Sequence, residues 1–120
     1  MDDEELILDV VSSMLDYLGY EVELSKNGEE ALDKYSAAMN GGKPFSIVIM
    51  DLTIPGSRGG KEVIQDLIKL DPSVRAIVSS GYSTDPIMSN CREYGFKGVV
   101  KKPFKMDELN SVIESTLKDS

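Results

Sequence analysis

Apolar and polar positions alternate along this chain in blocks, and the period changes from block to block. Leu6, Val10, Met14 and Leu18, with Ile7, Val11 and Leu15 beside them, follow the helical period and predict a first helix. Gly19 is placed to stop it. Glu21–Leu24 alternates charged and apolar residues, the pattern of a short strand with one face exposed. Ser25–Gly28 turns the chain into a second helix with Ala31, Leu32 and Tyr35 inward, closed by Asn40-Gly41-Gly42 and Pro44. Ser46–Met50 is an apolar run too short for a helix and rich in β-branched residues, which reads as a buried strand. Val63, Ile64, Leu67, Ile68 and Leu70 mark a third helix that stops before Pro72. Ala76–Val78 is a second buried strand. Thr84 or Asp85 can cap a fourth helix with Pro86 in its first turn and Ile87, Cys91 and Tyr94 inward. Gly98–Val100 is a last short strand, and Leu109, Val112, Ile113 and Leu117 define a closing helix.

Strands that alternate with helices imply a parallel sheet covered on both faces. One element is out of step: the chain opens on a helix, where the alternation calls for a strand. The expectation is a single α/β domain over residues 1–120 with its first strand missing before Asp2.

Composition narrows the chemistry. One hundred and twenty residues, 41% hydrophobic, suffice for one core. The formal net charge of −8 leaves no basic face for nucleic acid, and no apolar run approaches membrane-spanning length. The N-terminus carries acids rather than a secretory leader, and the single Cys91 cannot form an internal disulfide, so a cytoplasmic location is expected. Cys91 reads as a small core filler. The absence of histidine excludes Ser-His-Asp and Cys-His catalysis, imidazole-based zinc sites and phosphohistidine on this chain. What remains is carboxylates, hydroxyls, lysines and a hard cation.

Asp51 stands directly at the end of the Ser46–Met50 strand, followed by a loop containing Pro55, Gly56, Gly59 and Gly60. A carboxylate there is costly unless something uses it, and this is the sheet edge where open α/β folds hold ligands. From this stretch alone, a working acid and a turn cap both remain open. Other strand ends sharpen the choice. Ala76–Val78 delivers Ser79 and Ser80, the last strand delivers Lys101 and Lys102, and Asp2 and Asp3 precede the first helix. The Met1–Glu5 cluster also suits helix initiation, because the macrodipole favours acids in a first turn. Converging carboxylates repel by roughly 4 kcal/mol per pair at 4 Å with an effective dielectric of 20. A divalent cation relieves this, and an oxygen-only site with few carboxylates suits Mg²⁺. Acids, cation, lysine and hydroxyl are together the components of phosphoryl transfer.

Asp2-Asp3, Asp51, Ser80-Gly81 and Lys102-Pro103, in that order, resemble the response-regulator receiver domain of two-component signalling. The similarity covers nearly the whole chain, and the DLTIPG and SSGYS stretches most resemble receivers of hybrid histidine kinases. The resemblance implies a doubly wound, flavodoxin-like sheet of order 2-1-3-4-5 whose missing first strand belongs in the middle. It implies that Asp51 is the phosphoacceptor, taking a phosphoryl group from the phosphohistidine of a histidine kinase or histidine phosphotransfer domain. Asp3 and Asp51 would bind Mg²⁺ directly, with the Thr53 backbone carbonyl as third ligand and Asp2 acting through water. Ser80 would be the switch hydroxyl with Gly81 leaving room beside it. Lys102 would pair with the phosphoryl group, and Pro103, often cis in this family, would set the next turn. Ser79 and Lys101 read as a strand-end residue and a solvated charge. Tyr82 and Thr53 flank the site where the family varies. Val99 stands where many receivers carry a rotating Tyr or Phe, so another segment, Gly81–Asp85, is expected to carry the signal. The module would catalyse its own phosphorylation and dephosphorylation rather than act as a metabolic enzyme. The missing strand leaves Ser46–Met50 with an open edge, to be filled by an upstream strand, another segment or a partner chain, including a homodimer or strand-swapped dimer. A haloacid-dehalogenase-type hydrolase is a weaker match, because Thr53 stands where its second Asp is needed. A flavodoxin-like electron carrier lacks its phosphate loop.

Overall fold

In a computed structural model, the described residues are 1–52, 54, 59–81 and 86–118, with backbone alone for 86 and 88. The elements run α1 (Glu5–Tyr17), α2 (Gly28–Asn40), β1 (Val48–Asp51), α3 (Gly60–Leu70), β2 (Ala76–Ser80), α4 (Pro86–Ser89), a 3₁₀ turn (Cys91–Tyr94), β3 (Gly98–Lys101) and α5 (Met106–Lys118). The three strands are parallel in the order β1-β2-β3, with Asp51 opposite Ser79 and Ser80 opposite Lys101. That register brings the C-terminal ends of all three strands to one edge.

The sheet divides the core in two. Met50, Val78, Val63, Ile64, Leu67, Tyr35 and Phe96 form one cluster beneath α2 and α3. Ile77, Val100, Phe104, Leu109 and Ile113 form the other beneath α5, with Ile7, Val11, Met14 and Leu15 of α1 packed against it. Local chemistry sets the boundaries. The Asn27 side chain accepts from the Glu30 N–H at 2.9 Å and starts α2. Gly19, at φ +90°, ends α1 as expected, its N–H on the Asp16 carbonyl while the Tyr20 N–H reaches Leu15. The buried Tyr35 hydroxyl donates to the Asp71 carboxylate at 2.7 Å and ties α2 to the end of α3.

Several expectations change. Glu21–Leu24 is not a strand. Its alternation survives, with the two acids exposed and Val22 and Leu24 half-buried, but it has no neighbouring strand to form a ladder with. The central strand is shifted to Val48–Asp51, and Ile47, Val48 and Ile49 are only half-buried, because its outer edge faces a cavity. On α1 the inward face is Ile7, Leu8, Val11, Met14 and Leu15. Leu6 and Val10, expected inward, are 73% and 39% exposed. The fourth helix is one short turn that continues as a 3₁₀ turn after Asn90 leaves helical geometry. Ile87, Cys91 and Tyr94 nevertheless all pack on the core as the pattern required. In α5, Thr116 is buried beside the expected Leu109 and Ile113. The loop residues Pro55 and Gly56 and the caps Thr84 and Asp85 lie outside the described residues.

Candidate functional site

Each strand end contributes one component. Asp51 is the last residue of β1 and is buried; α3 begins so close behind it that a β-carbon on Gly60 would lie 2.8 Å from the Asp51 carbonyl oxygen. Glycine at this position lets the helix start against the strand. Gly60→Ala is expected to destabilise the fold by about 2 kcal/mol and to displace Asp51. Denaturant titration checks it, and an unchanged midpoint would mean that α3 can retreat freely.

Ser79 and Ser80, both buried, end β2. The Leu52 N–H donates to the Ser79 carbonyl, and the Lys102 N–H donates to the Ser80 carbonyl at 3.1 Å, so the strand ends are stitched together beyond the sheet. Lys101 is exposed, as expected for a solvated charge. Lys102 turns inward, ahead of a cis Lys102–Pro103 peptide.

The Lys102 ammonium lies 2.7 Å from one Asp2 carboxylate oxygen and 3.3 Å from one Asp51 oxygen. All three side chains are at least four-fifths buried. The other Asp2 oxygen accepts the Glu4 N–H at 3.1 Å. Asp2 and Asp3 therefore reach the edge without a full preceding strand, and Met1 explains how. Its nitrogen donates to the Ile49 carbonyl at 2.7 Å, its carbonyl accepts from the Asp51 N–H at 2.9 Å, and the Asp2 N–H reaches the Ser25 carbonyl. Sequence reasoning missed Met1; only its adjacency to Asp2 could have hinted at this role.

Charge in the site is unbalanced toward the negative. Burial is the main cause that raises the Asp51 pKa, Lys102 opposes it, and Asp2 and then Asp3 add to it. Burial lowers the Lys102 pKa, but the hydrogen bond to Asp2 and the charge of Asp51 outweigh it and hold the ammonium above its ordinary value. The Met1 ammonium is pushed down to about 6, chiefly by burial. Carboxylate oxygens of Asp2, Asp3 and Glu4 lie within 4.8 Å of one another. Asp3 and Glu4 are exposed and Asp2 is buried. Glu4 adds a carboxylate whose place in the sequence points only to helix initiation. An oxygen-only donor set facing a single lysine fits a hard divalent cation such as Mg²⁺. The Thr53 carbonyl, Tyr82 and the rest of Gly81–Asp85 beyond exposed Gly81 lie outside the described residues.

The profile of the response regulator receiver domain matches residues 1–114, and the chain belongs to that family. It is a phosphoacceptor receiver module of two-component signalling, a class whose members work with histidine kinases or phosphotransfer partners. It is 31% identical over 117 residues to the chemotaxis protein CheY of Thermotoga maritima, covering 93% of this chain and 92% of that one. It is 34% identical over 120 residues to the uncharacterized transcriptional regulatory protein YkoG of Bacillus subtilis, all of this chain but only 50% of YkoG. The chain thus spans half the length of that relative. Its fold matches the receiver domain of the sensor histidine kinase PA1611 of Pseudomonas aeruginosa, solved with magnesium in its active-site cleft. That match has a TM-score of 0.83 at 22% identity, over 98% of this chain and 93% of that one.

Proposed function

We propose that Asp51 is the phosphoacceptor of this receiver. The observation that carries it is Lys102, whose ammonium reaches Asp51 and Asp2 together at the C-terminal edge of the sheet. An Asp51 carboxylate oxygen attacks the phosphorus of a partner's phosphohistidine in line. The O–P bond forms as the P–N bond breaks, and the leaving imidazole takes a proton from solvent. Lys102 then follows the negative charge from the Asp51 carboxylate to a phosphoryl oxygen, and the Ser80 hydroxyl donates to another. Phosphorylation adds about −1.5 to −2 charges at this edge, which the Ser80 and Lys102 loops must answer.

Asp2, Asp3, Asp51 and the Thr53 carbonyl would hold Mg²⁺, as the magnesium in the PA1611 cleft supports. Bound there, it supplies positive charge against the carboxylates and the transferring group. The chain promotes both its own phosphorylation and the later hydrolysis, with a histidine kinase or phosphotransfer domain as donor. Residues 1–120 act as one receiver domain in the cytoplasm. Among the described residues no helix is long and apolar enough to cross a membrane, and the net charge of −8 argues against a nucleic-acid partner. The chain self-associates through the open edge of β1, and sedimentation is expected to show a dimer.

Intact mass after incubation with a small-molecule phosphodonor and Mg²⁺ tests the assignment. A single phosphoryl gain is expected, absent with a chelator and absent in Asp51→Asn. A gain that survives that substitution would place the acceptor elsewhere.

A further inference from the structure

The Asp2 carboxylate is already committed on both sides. One of its oxygens accepts the Glu4 N–H at 3.1 Å, and the other lies 2.7 Å from the Lys102 ammonium. Its side chain is 6% exposed, so it cannot turn to ligate a cation directly without giving up a bond made to it in a buried place. Asp2 therefore meets an ion at this edge only through water.

Glu4 is the opposite case. It is the N-cap residue of α1, with extended backbone at φ −94° and ψ 115°, yet its side chain caps no N–H of the helix. Its carboxylate lies instead with those of Asp2 and Asp3, their oxygens within 4.8 Å of one another. Lys102 offsets Asp2, and Lys26 offsets the next acid along, Glu5, at 2.7 Å. Among the described residues neither Asp3 nor Glu4 has an ion-pair partner, and both are exposed. Like charges this close repel, and a shared divalent cation relieves them most.

We propose, on the basis of the Mg²⁺ assignment to Asp3 and Asp51, that Glu4 is a further residue of that metal site. It acts on the ion through a metal-bound water and supplies the free charge that Asp2, held by Lys102, does not. Mg²⁺ keeps several of its waters and accepts few carboxylates directly, so an outer acid adds attraction without crowding the octahedron. Glu4 is a positioning residue for the ion. Its charge works against the folded chain without the metal and in its favour with it.

Calorimetric titration of Mg²⁺ at fixed ionic strength into the parent chain, Glu4→Gln and Asp9→Asn tests this. Asp9 is an exposed acid of α1 outside the carboxylate cluster. Glu4→Gln is expected to weaken Mg²⁺ binding by about fivefold, the effect of one solvated carboxylate beside a divalent ion. Asp9→Asn is expected to change it by less than about twofold, because solvent and salt screen a more distant exposed charge. Thermal unfolding supplies a readout that a purely structural role would move the other way. In chelator Glu4→Gln should unfold at or slightly above the parent midpoint, and Mg²⁺ should raise its midpoint less than the parent's. Equal affinities for the parent and Glu4→Gln would overturn the proposal and leave the Mg²⁺ assignment standing. Equal weakening by both substitutions would also overturn it and assign the effect to the general acidic field. A lower midpoint for Glu4→Gln in chelator would make Glu4 a structural residue instead. A parent chain that binds no Mg²⁺ would overturn the metal assignment itself, and this proposal with it.

Discussion

Asp51→Asn is expected to take up no phosphoryl group and yet to unfold at a higher temperature than the parent chain. The two results share one cause. Asp51 is buried at a strand end among other acids, so folding works against its charged form and its pKa is raised. A carboxyl whose folded pKa lies above its unfolded value binds more protons when folded. Stability therefore falls as pH rises from the ordinary carboxylate value, about 3.8, through the raised folded value, and the full cost is present at neutral pH. Asparagine keeps the shape and removes that cost. Lys102 keeps a partner, because Asp2 remains 2.7 Å away. Thermal unfolding with chelator present should show the gain at pH 7 and its shrinkage toward pH 4. A variant less stable than the parent at pH 7 would mean that the Lys102 contact outweighs desolvation and the neighbouring acids.

Lys102→Met should have the opposite effect on stability. It keeps most of the side chain's length and removes the cation shared by Asp2 and Asp51. Both carboxylates are then left buried without it. Breaking a buried pair from one side typically costs about 3 kcal/mol or more, because the remaining charge keeps its desolvation penalty. For a chain of this size the unfolding midpoint should fall by about 10 °C. Millimolar Mg²⁺ should recover part of the loss, and more than it adds to the parent, since the cation replaces the missing positive charge. Phosphoryl uptake should fall sharply even where the fold is restored, because charge that neutralises carboxylates at rest does not supply an ammonium to the phosphoryl oxygens. A midpoint unchanged without Mg²⁺ would show that water already solvates Asp2 and Asp51.

Most of this site is visible in the primary structure because its parts are local. A β-branched run that ends on Asp51, a second that ends on Ser79-Ser80, and a third that leads to Lys102-Pro103 each mark a strand end. Parallel topology then sends all three ends to one edge. The helix boundaries behave likewise: Gly19 at the end of α1 and Asn27 at the start of α2 act through bonds to residues within five positions. Periodicity is less reliable where a helix is apolar over much of its circumference. On α1 Leu6 and Val10 fit the helical period as well as Ile7 and Val11 do, and only the position of α5 and the sheet selects the inward set.

The sequence by itself determined the alternating α/β class, the chemistry of acids, hydroxyl and lysine, and the order of the strand ends. The alternation also set the expectation of a strand ahead of the first helix. Only the tertiary structure decided how the N-terminal residues meet the sheet. Met1 bonds to the Ile49 carbonyl and the Asp51 N–H as a strand residue would and presents Asp2 to Lys102, residues separated by nearly the whole chain. Glu21–Leu24 keeps its alternation but forms no strand, and β1 keeps a half-buried outer edge. The physical reason is that helix caps and side-chain periods are set by bonds within a few residues. A strand exists only through hydrogen bonds to a neighbour, and whether that neighbour is in place is decided by the assembled sheet.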